Sequence, residues 1–313
     1  MDLTHDILDR LEKLEEKYAA MGQDIASYLD GLLYADYLTY WDYIHLDTLL
    51  SLQSPRTPFP DESIFIMYHQ ITELYFKLTL HAMKQLTENQ PSPELFKRQL
   101  RRMNAYIGHL VHSFDVMVEG MDKEEFLKFR MSLLPASGFQ SAQFRMIELM
   151  STDMHLLVHA DQRTQFSASS DLKAMYPHLY WKSGATELAS GKKTLTLRQF
   201  EQKYGEDFLE LAEEMKPRNL RRQYLRAKDR EETDEELEGL LRTYDHALNV
   251  EWPLMHFKSA MRYLDQKPRV IEATGGTNWQ KYLPPRFQRI VFFPELWTEE
   301  ERELWGRRAQ LAH

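Results

Sequence analysis

A chain of 313 residues, 43% hydrophobic and 28% charged, has ample material for a core in one large domain or two small ones. Its net charge of −9 is spread along the sequence with no basic block, which argues against a nucleic-acid partner. The absence of cysteine excludes disulfides, thiolate zinc sites, iron–sulfur clusters and thioether-linked haem.

No apolar run approaches the ~18 residues of a membrane span. The first twenty residues are charged throughout and lack the apolar core of a signal peptide, so a cytoplasmic location is expected. Glycine is scarce, at 12 residues, and long periodic segments separate the glycines. That pattern predicts helices joined by short loops.

Leu3, Ile7, Leu11 and Leu14 recur at helical spacing among charges, giving an amphipathic helix over 3–18 that can lie on another surface. A tyrosine-rich segment comes next, with Tyr34, Tyr37, Tyr40 and Tyr43 every three residues and Trp41 among them. These phenols suit either half-buried packing or a lid over an aromatic ligand. A proline-containing loop then leads to Asp61, which follows Pro60 and can cap a helix, with Glu62 favourable at its positive end. Phe65, Tyr68, Ile71, Thr72, Tyr75 and Phe76 give this helix one broad apolar face, and His69 sits on it. From this stretch alone, His69 is either a core histidine satisfied by a backbone carbonyl or a functional imidazole.

Residues 94–118 read as a further helix with Leu95, Leu100, Met103, Ile107, Leu110 and Phe114 inward. After Gly120 a helix restarts at Asp122. On it Phe126 and Arg130, four apart, share a face, with Arg130 either a surface side chain or a guanidinium aimed at a carboxylate. The run Pro135-Ala136-Ser137-Gly138-Phe139-Gln140-Ser141 breaks the pattern, and Ser141 can cap a helix to about Leu157. Periodicity fades over 160–191, resumes from about Thr196 to Met215, and gives way to a charged run at 229–241. Residues 244–264 are helical in pattern with Pro253 inside, which predicts a kink or restart. His256 lies one turn beyond Trp252. Thr274-Gly275-Gly276 is the one glycine pair, a polar turn suited to a ligand, and Thr298 with Glu301 forms a capping box near the end.

Glu-x-x-His pairs, H-E-x-x-H, G-x-S-x-G, Walker and Rossmann patterns are all absent, removing the usual support for di-iron, zinc-protease, hydrolase and nucleotide chemistry. The pairs His155/His159 and His109/His112 have metal-compatible spacing without a companion base and read as surface or interface histidines. His69 and His256, each in an apolar neighbourhood on a separate helix, suit a b-type haem with one axial imidazole and the other on the open side.

The run Phe65-Ile66-Met67-Tyr68-His69-Gln70-Ile71-Thr72-Glu73-Leu74 resembles the distal helix of the tryptophan 2,3-dioxygenase family. So do Tyr40-x-x-Tyr43-Ile44-x-Leu46-Asp47, Phe129-Arg130 with Ser137-Gly138-Phe139-Gln140-Ser141, the placement of His256, and Thr274-Gly275-Gly276. The resemblance covers roughly residues 34–157 and 244–297. It implies an all-α fold: a haem-binding helical domain over 34–313, with a helical or irregular excursion at 160–235, and an N-terminal arm over 1–33. It also implies a homotetramer, a dimer of dimers, in which Tyr40, Tyr43 and Ile44 reach a neighbouring subunit's site.

The activity implied is insertion of both atoms of O2 across the indole C2–C3 bond of L-tryptophan, giving N-formylkynurenine, with haem b in its Fe2+ form. By that resemblance His256 is the axial iron ligand and His69 acts on the substrate side as the catalytic residue. Arg130 pairs with the substrate carboxylate, Thr274 holds the ammonium and carboxylate groups, and Phe65 and Phe126 wall the ring. Ser137 and Gly138 contact the cofactor. The sequence departs from the family at Thr277-Asn278-Trp279, where small residues are usual, and carries Phe126 where some bacterial members have tyrosine. Two other readings share the residues: haem-dependent hydroxylation of another aromatic amino acid or a substituted tryptophan, and a haem sensor or carrier without turnover.

Overall fold

A computed structural model describes residues 4–36, 38–88, 90–133, 138–183, 185, 193–266, 269–270, 280 and 283–307. The chain divides into two compact units between Ser54 and Pro55. The first holds α1 (His5–Ala20), α2 (Ile25–Leu33) and two short helices, α3 (Tyr40–Tyr43) and α4 (Leu46–Leu50). None of the four buries a residue. Asp24 caps α2 and Thr39 caps α3, so local hydrogen bonds rather than a core define these helices. Leu32, Leu33, Tyr34, Tyr40 and Tyr43 are exposed.

The second unit is built on α5 (Asp61–Thr87) and α6 (Pro93–Ser113). Neither Gly nor Pro interrupts α5 over its 27 residues, and Tyr68, Thr72, Phe76, Leu80, Met83 and Leu86 form its buried stripe. Pro60 occupies the cap position of α5, leaving Asp61 inside the helix. The Asp61 carboxylate, expected to cap its own helix, instead accepts the Asp122 amide at the start of a neighbouring one. The short link to α6, with Pro93 in its first turn and the Ser92 hydroxyl accepting the Leu95 amide at 3.2 Å, makes the two helices antiparallel neighbours. The expected helix over 94–118 ends at Ser113, and a separate turn, α7 (Asp115–Val118), intervenes before α8 (Lys123–Phe129).

Ser141 caps α9 (Ala142–Ser151) as its position predicted. Here the helix stops at Ser151, and a 3-10 turn, Met154–Leu157, completes the stretch. Gln143 ties α9 to α5, donating to the Glu73 carbonyl and carboxylate. The segment with faded periodicity is irregular over 160–171, apart from a 3-10 turn at Arg163–Gln165, and largely helical turns over 172–183. It holds α10 (Leu172–Met175), a 3-10 turn at Tyr176–His178 and α11 (Tyr180–Ser183), and it buries Leu172, Met175, Leu179 and Trp181 in the main core. Helices of four residues are too short to display a 3.6-residue period.

Helices α12 (Leu195–Met215), α13 (Leu220–Asp229) and α14 (Glu235–His246) come next. The charged run is partly a turn and partly the outer face of α14, whose Leu237, Leu241 and Tyr244 are buried. A π-helical turn, Ala247–Glu251, joins α14 to α15 (Trp252–Leu264). This is the interruption that Pro253 foretold. Two-residue strands β1 (Asp265–Gln266) and β2 (Arg269–Val270) pair antiparallel, Asp265 opposite Val270. The capping box at Thr298 and Glu301 is formed. Among the described residues, no helix is long and apolar enough to cross a membrane.

Candidate functional site

Three helices of the second unit converge on a pair of histidines. From α5 come Phe65 and His69, one turn apart, with ring centroids at 4.1 Å. The His69 Nδ1 lies 2.7 Å from the Phe65 carbonyl oxygen, and that acceptor fixes the tautomer: Nδ1 carries the proton and Nε2 keeps a bare lone pair. His69 is accessible to solvent, yet burial lowers its pKa, against the carbonyl hydrogen bond and the Glu73 charge that raise it.

From α15 comes His256, whose Nδ1 lies 2.9 Å from the Trp252 carbonyl oxygen. Its ring packs at 4.4 Å on Trp252 and 4.6 Å on Phe114. Burial pushes its pKa down to about 4, with a further lowering from His69. Burial thus favours the neutral form of both imidazoles, in which Nε2 can serve as acceptor or ligand. The rings Tyr68 and Phe114, 5.7 Å apart, bridge them: Tyr68 meets His69 at 6.3 Å and Phe114 meets His256.

The third element is α8. Its Phe126 stands 6.5 Å from Phe65 and 4.6 Å from Tyr263 of α15, two turns beyond His256. Phe129 closes the cluster at 5.9 Å from Phe65. At the end of α8 the backbone tightens into a 3-10 turn, Arg130–Leu133. Arg130 is only 8% exposed, and burial lowers its pKa. It is not a surface side chain. A guanidinium removed from water makes stronger contacts with a carboxylate than one on the surface.

Polar ties hold the three helices in register. The Asp122 amide donates to Asp61, and the Asp61 amide to Glu125 at 3.2 Å, fastening the start of α5 to the start of α8. Glu62 is buried and accepts the Arg56 and Thr57 amides at 2.9 and 2.7 Å and the Thr57 hydroxyl, folding the entry loop back onto α5. The Tyr263 hydroxyl donates to the Met121 carbonyl at 3.3 Å, and Arg262 pairs with Glu119 at 2.6 Å, docking α15 beside α7.

The structure thus links Phe65, His69, Phe126 and His256 through one cluster of rings, with Arg130 in the same unit at the end of α8. Thr274, with the neighbouring Gly275, Gly276, Thr277, Asn278 and Trp279, lies outside the described residues, as does Ser137. Gly138 opens a single 3-10 turn whose Phe139 stacks on Trp181 at 6.1 Å. Tyr40, Tyr43 and Ile44 belong to the first unit, where Tyr40 is 69% and Tyr43 73% exposed. Sequence reasoning does not single out Phe129 and Tyr263 as site residues. The signal for Tyr263 is its position seven residues beyond His256, on the same face of a helix.

Among the described residues, no three His, Asp or Glu side chains converge to hold a metal ion by themselves. The second unit of this predominantly helical protein thus carries two imidazoles within an aromatic cluster of Phe65, Tyr68, Phe114, Phe126 and Trp252, and a buried arginine at the end of α8. Residues 31–274 match the family model described as tryptophan 2,3-dioxygenase. A tryptophan 2,3-dioxygenase of Polaromonas naphthalenivorans (strain CJ2) is 32% identical over 273 residues, covering 83% of this chain and 90% of the relative. Those of Bacillus thuringiensis (strain Al Hakam) and Ruegeria sp. (strain TM1040) are 30% and 29% identical, covering 83% and 85% of this chain and 91% and 92% of the relatives. The chain belongs to the tryptophan 2,3-dioxygenase family.

Proposed function

We propose that this protein is a haem-dependent oxidoreductase of the cytoplasm that inserts both atoms of O2 across the C2–C3 bond of L-tryptophan, giving N-formylkynurenine. The observation that carries the reading is the matched state of the two histidines. Each has Nδ1 against a carbonyl four residues back, and burial lowers the pKa of each, which favours a neutral ring with Nε2 unprotonated.

That donor set fits a haem. His256 is the more deeply enclosed, and its Nδ1–H bonded to a carbonyl raises the basicity of Nε2, as expected of an axial ligand. Bound there, haem b would supply the redox-active iron that O2 chemistry requires. His69, on a second helix, would accept the indole N–H at Nε2, orient the ring and receive or return a proton. A protonated His69 could not accept that bond, so its lowered pKa supports the role.

Phe65 and Phe126 flank the ring and exclude water, and Arg130 takes the carboxylate in a charge-assisted contact of roughly 1.5–3 kcal/mol. Thr274 is assigned to the ammonium and carboxylate groups, and Ser137 with Gly138 to the cofactor, on family resemblance. The exposed aromatic face of the first unit supports an arm that Tyr40, Tyr43 and Ile44 present to a neighbouring subunit in a homotetramer.

The test is a tryptophan titration of the purified, haem-loaded protein. A Soret band that shifts saturably with L-tryptophan is expected. A chain that takes up no haem overturns the reading.

A further inference from the structure

Asp245, the penultimate residue of α14, is completely buried at 0% exposure, and its carboxylate accepts four hydrogen bonds. Two come from the Phe292 and Phe293 amides at 2.9 and 3.1 Å and one from the Trp297 indole at 2.9 Å. The fourth comes from the Asn249 side chain at 2.8 Å. Asn249 is itself buried and lies inside the π turn. One carboxylate therefore binds that turn to a core segment 47 residues away in sequence.

The π turn governs the direction in which α15 presents its side chains. The Trp252 amide donates to the Ala247 carbonyl, five residues back, so the rod carries one residue more than an α-helix would at this point. At about 100° per residue, Tyr244 and Trp252 would lie roughly 80° apart on an unbroken helix; the extra residue reduces this to about 20°. Tyr244 and Trp252 are both buried in the main core, which the corrected phase allows. By the same count an unbroken helix would put His256 on the face of Asp245, about 20° away, toward the Phe292–Trp297 segment. With the extra residue it turns onto Phe114 and into reach of His69. Pro253 has no amide to offer the Asn249 carbonyl, so the α-helical alternative is weakened just where the π turn sits. A π turn is rare and occurs mostly as a single turn inside an α-helix, frequently at a functional site.

We infer that Asp245 and Asn249 are positioning residues that clamp the π turn and thereby set the rotational phase of His256 toward the bound cofactor. The inference rests on the reading that His256 is the axial ligand, and the test separates the two. The full-length haem-loaded protein is compared with Asn249→Ala, Asp245→Asn and His256→Gly. The readouts are the iron–histidine stretching band of the ferrous state and the rate of haem transfer to apomyoglobin.

Asn249→Ala is expected to keep its helical circular dichroism, shift or broaden the iron–histidine band, and lose haem roughly tenfold to a hundredfold faster. Asp245→Asn, which cannot accept all four donors, is expected to do the same or more. His256→Gly should lose the band and recover one with added imidazole. If His256→Gly leaves the original band in place, the axial assignment fails. If that assignment holds and Asn249→Ala leaves band and haem transfer unchanged, the clamp is wrong. Loss of the fold in both clamp variants also overturns it, because a positioning role requires the bundle to stand without the clamp.

Discussion

His69 and His256, on two different helices, lie close enough that His69 lowers the pKa of His256, while each holds its own Nδ1 against a carbonyl of its own helix. Burial lowers the pKa of both residues, but they differ in exposure. His256 is packed between Trp252 and Phe114, whereas His69 remains accessible beside Phe65. The enclosed imidazole suits a permanent ligand and the accessible one a substrate.

His69→Ala should therefore separate binding of the cofactor from use of it. Haem content is expected to stay at the wild-type level, while kcat/KM for tryptophan falls roughly tenfold to a thousandfold, the range of a lost acceptor and proton relay. Parallel loss of haem would assign His69 to the iron instead.

Arg130→Ala should weaken tryptophan binding by about tenfold to a hundredfold, the equivalent of one charged hydrogen bond. Tryptamine, which lacks the carboxylate, should bind the variant and the wild type alike. Equal losses for both compounds would show that Arg130 supports the fold around Phe126 rather than the ligand.

Glu62 gives a pH dependence with a definite sign. Burial raises its pKa, but hydrogen bonds from the Thr57 hydroxyl and the Arg56 and Thr57 amides outweigh burial and leave it below its ordinary 4.5. The native state then binds fewer protons than the unfolded chain over that interval, so the stabilisation is complete above about pH 4.5 and is lost as pH falls through the lower folded value. Denaturant melts of Glu62→Gln against wild type should differ by about 1–3 kcal/mol at pH 7 and converge in acid. A gap that persists at low pH would locate the effect in packing.

Removal of residues 1–54 tests the exposed aromatic arm. The second unit is expected to fold, as judged by circular dichroism, but to fail to form the proposed homotetramer and lose most activity, as measured by light scattering and turnover. A truncated chain with full assembly and activity would detach Tyr40, Tyr43 and Ile44 from the site.

The parts that can be read from sequence are those governed by local rules. The α5 helix shows itself by 27 residues without Gly or Pro and by a regular stripe, and His69 falls on that stripe. Ser141, Thr298 and Glu301 act where capping chemistry puts them. Arg130 is ambiguous in sequence because a helix-end arginine near a phenylalanine satisfies either an outward or an inward rotamer; the burial that decides it comes from packing around α8. Residues 172–183 are unreadable because their helical turns are shorter than the period that reveals a helix. The phase of His256 is unreadable for a third reason. Pro253 announces an interruption, but its geometry is set by Asp245 bonding to Phe292, Phe293 and Trp297, contacts of long sequence separation.

The most direct test is turnover of L-tryptophan by the reduced, haem-loaded full-length protein under isotopically heavy O2, with the product analysed by mass spectrometry. The account predicts ring-opened N-formylkynurenine carrying both heavy oxygen atoms. A product with the indole ring intact and a single heavy oxygen atom, or tryptophan bound to the haem protein without conversion, would contradict it.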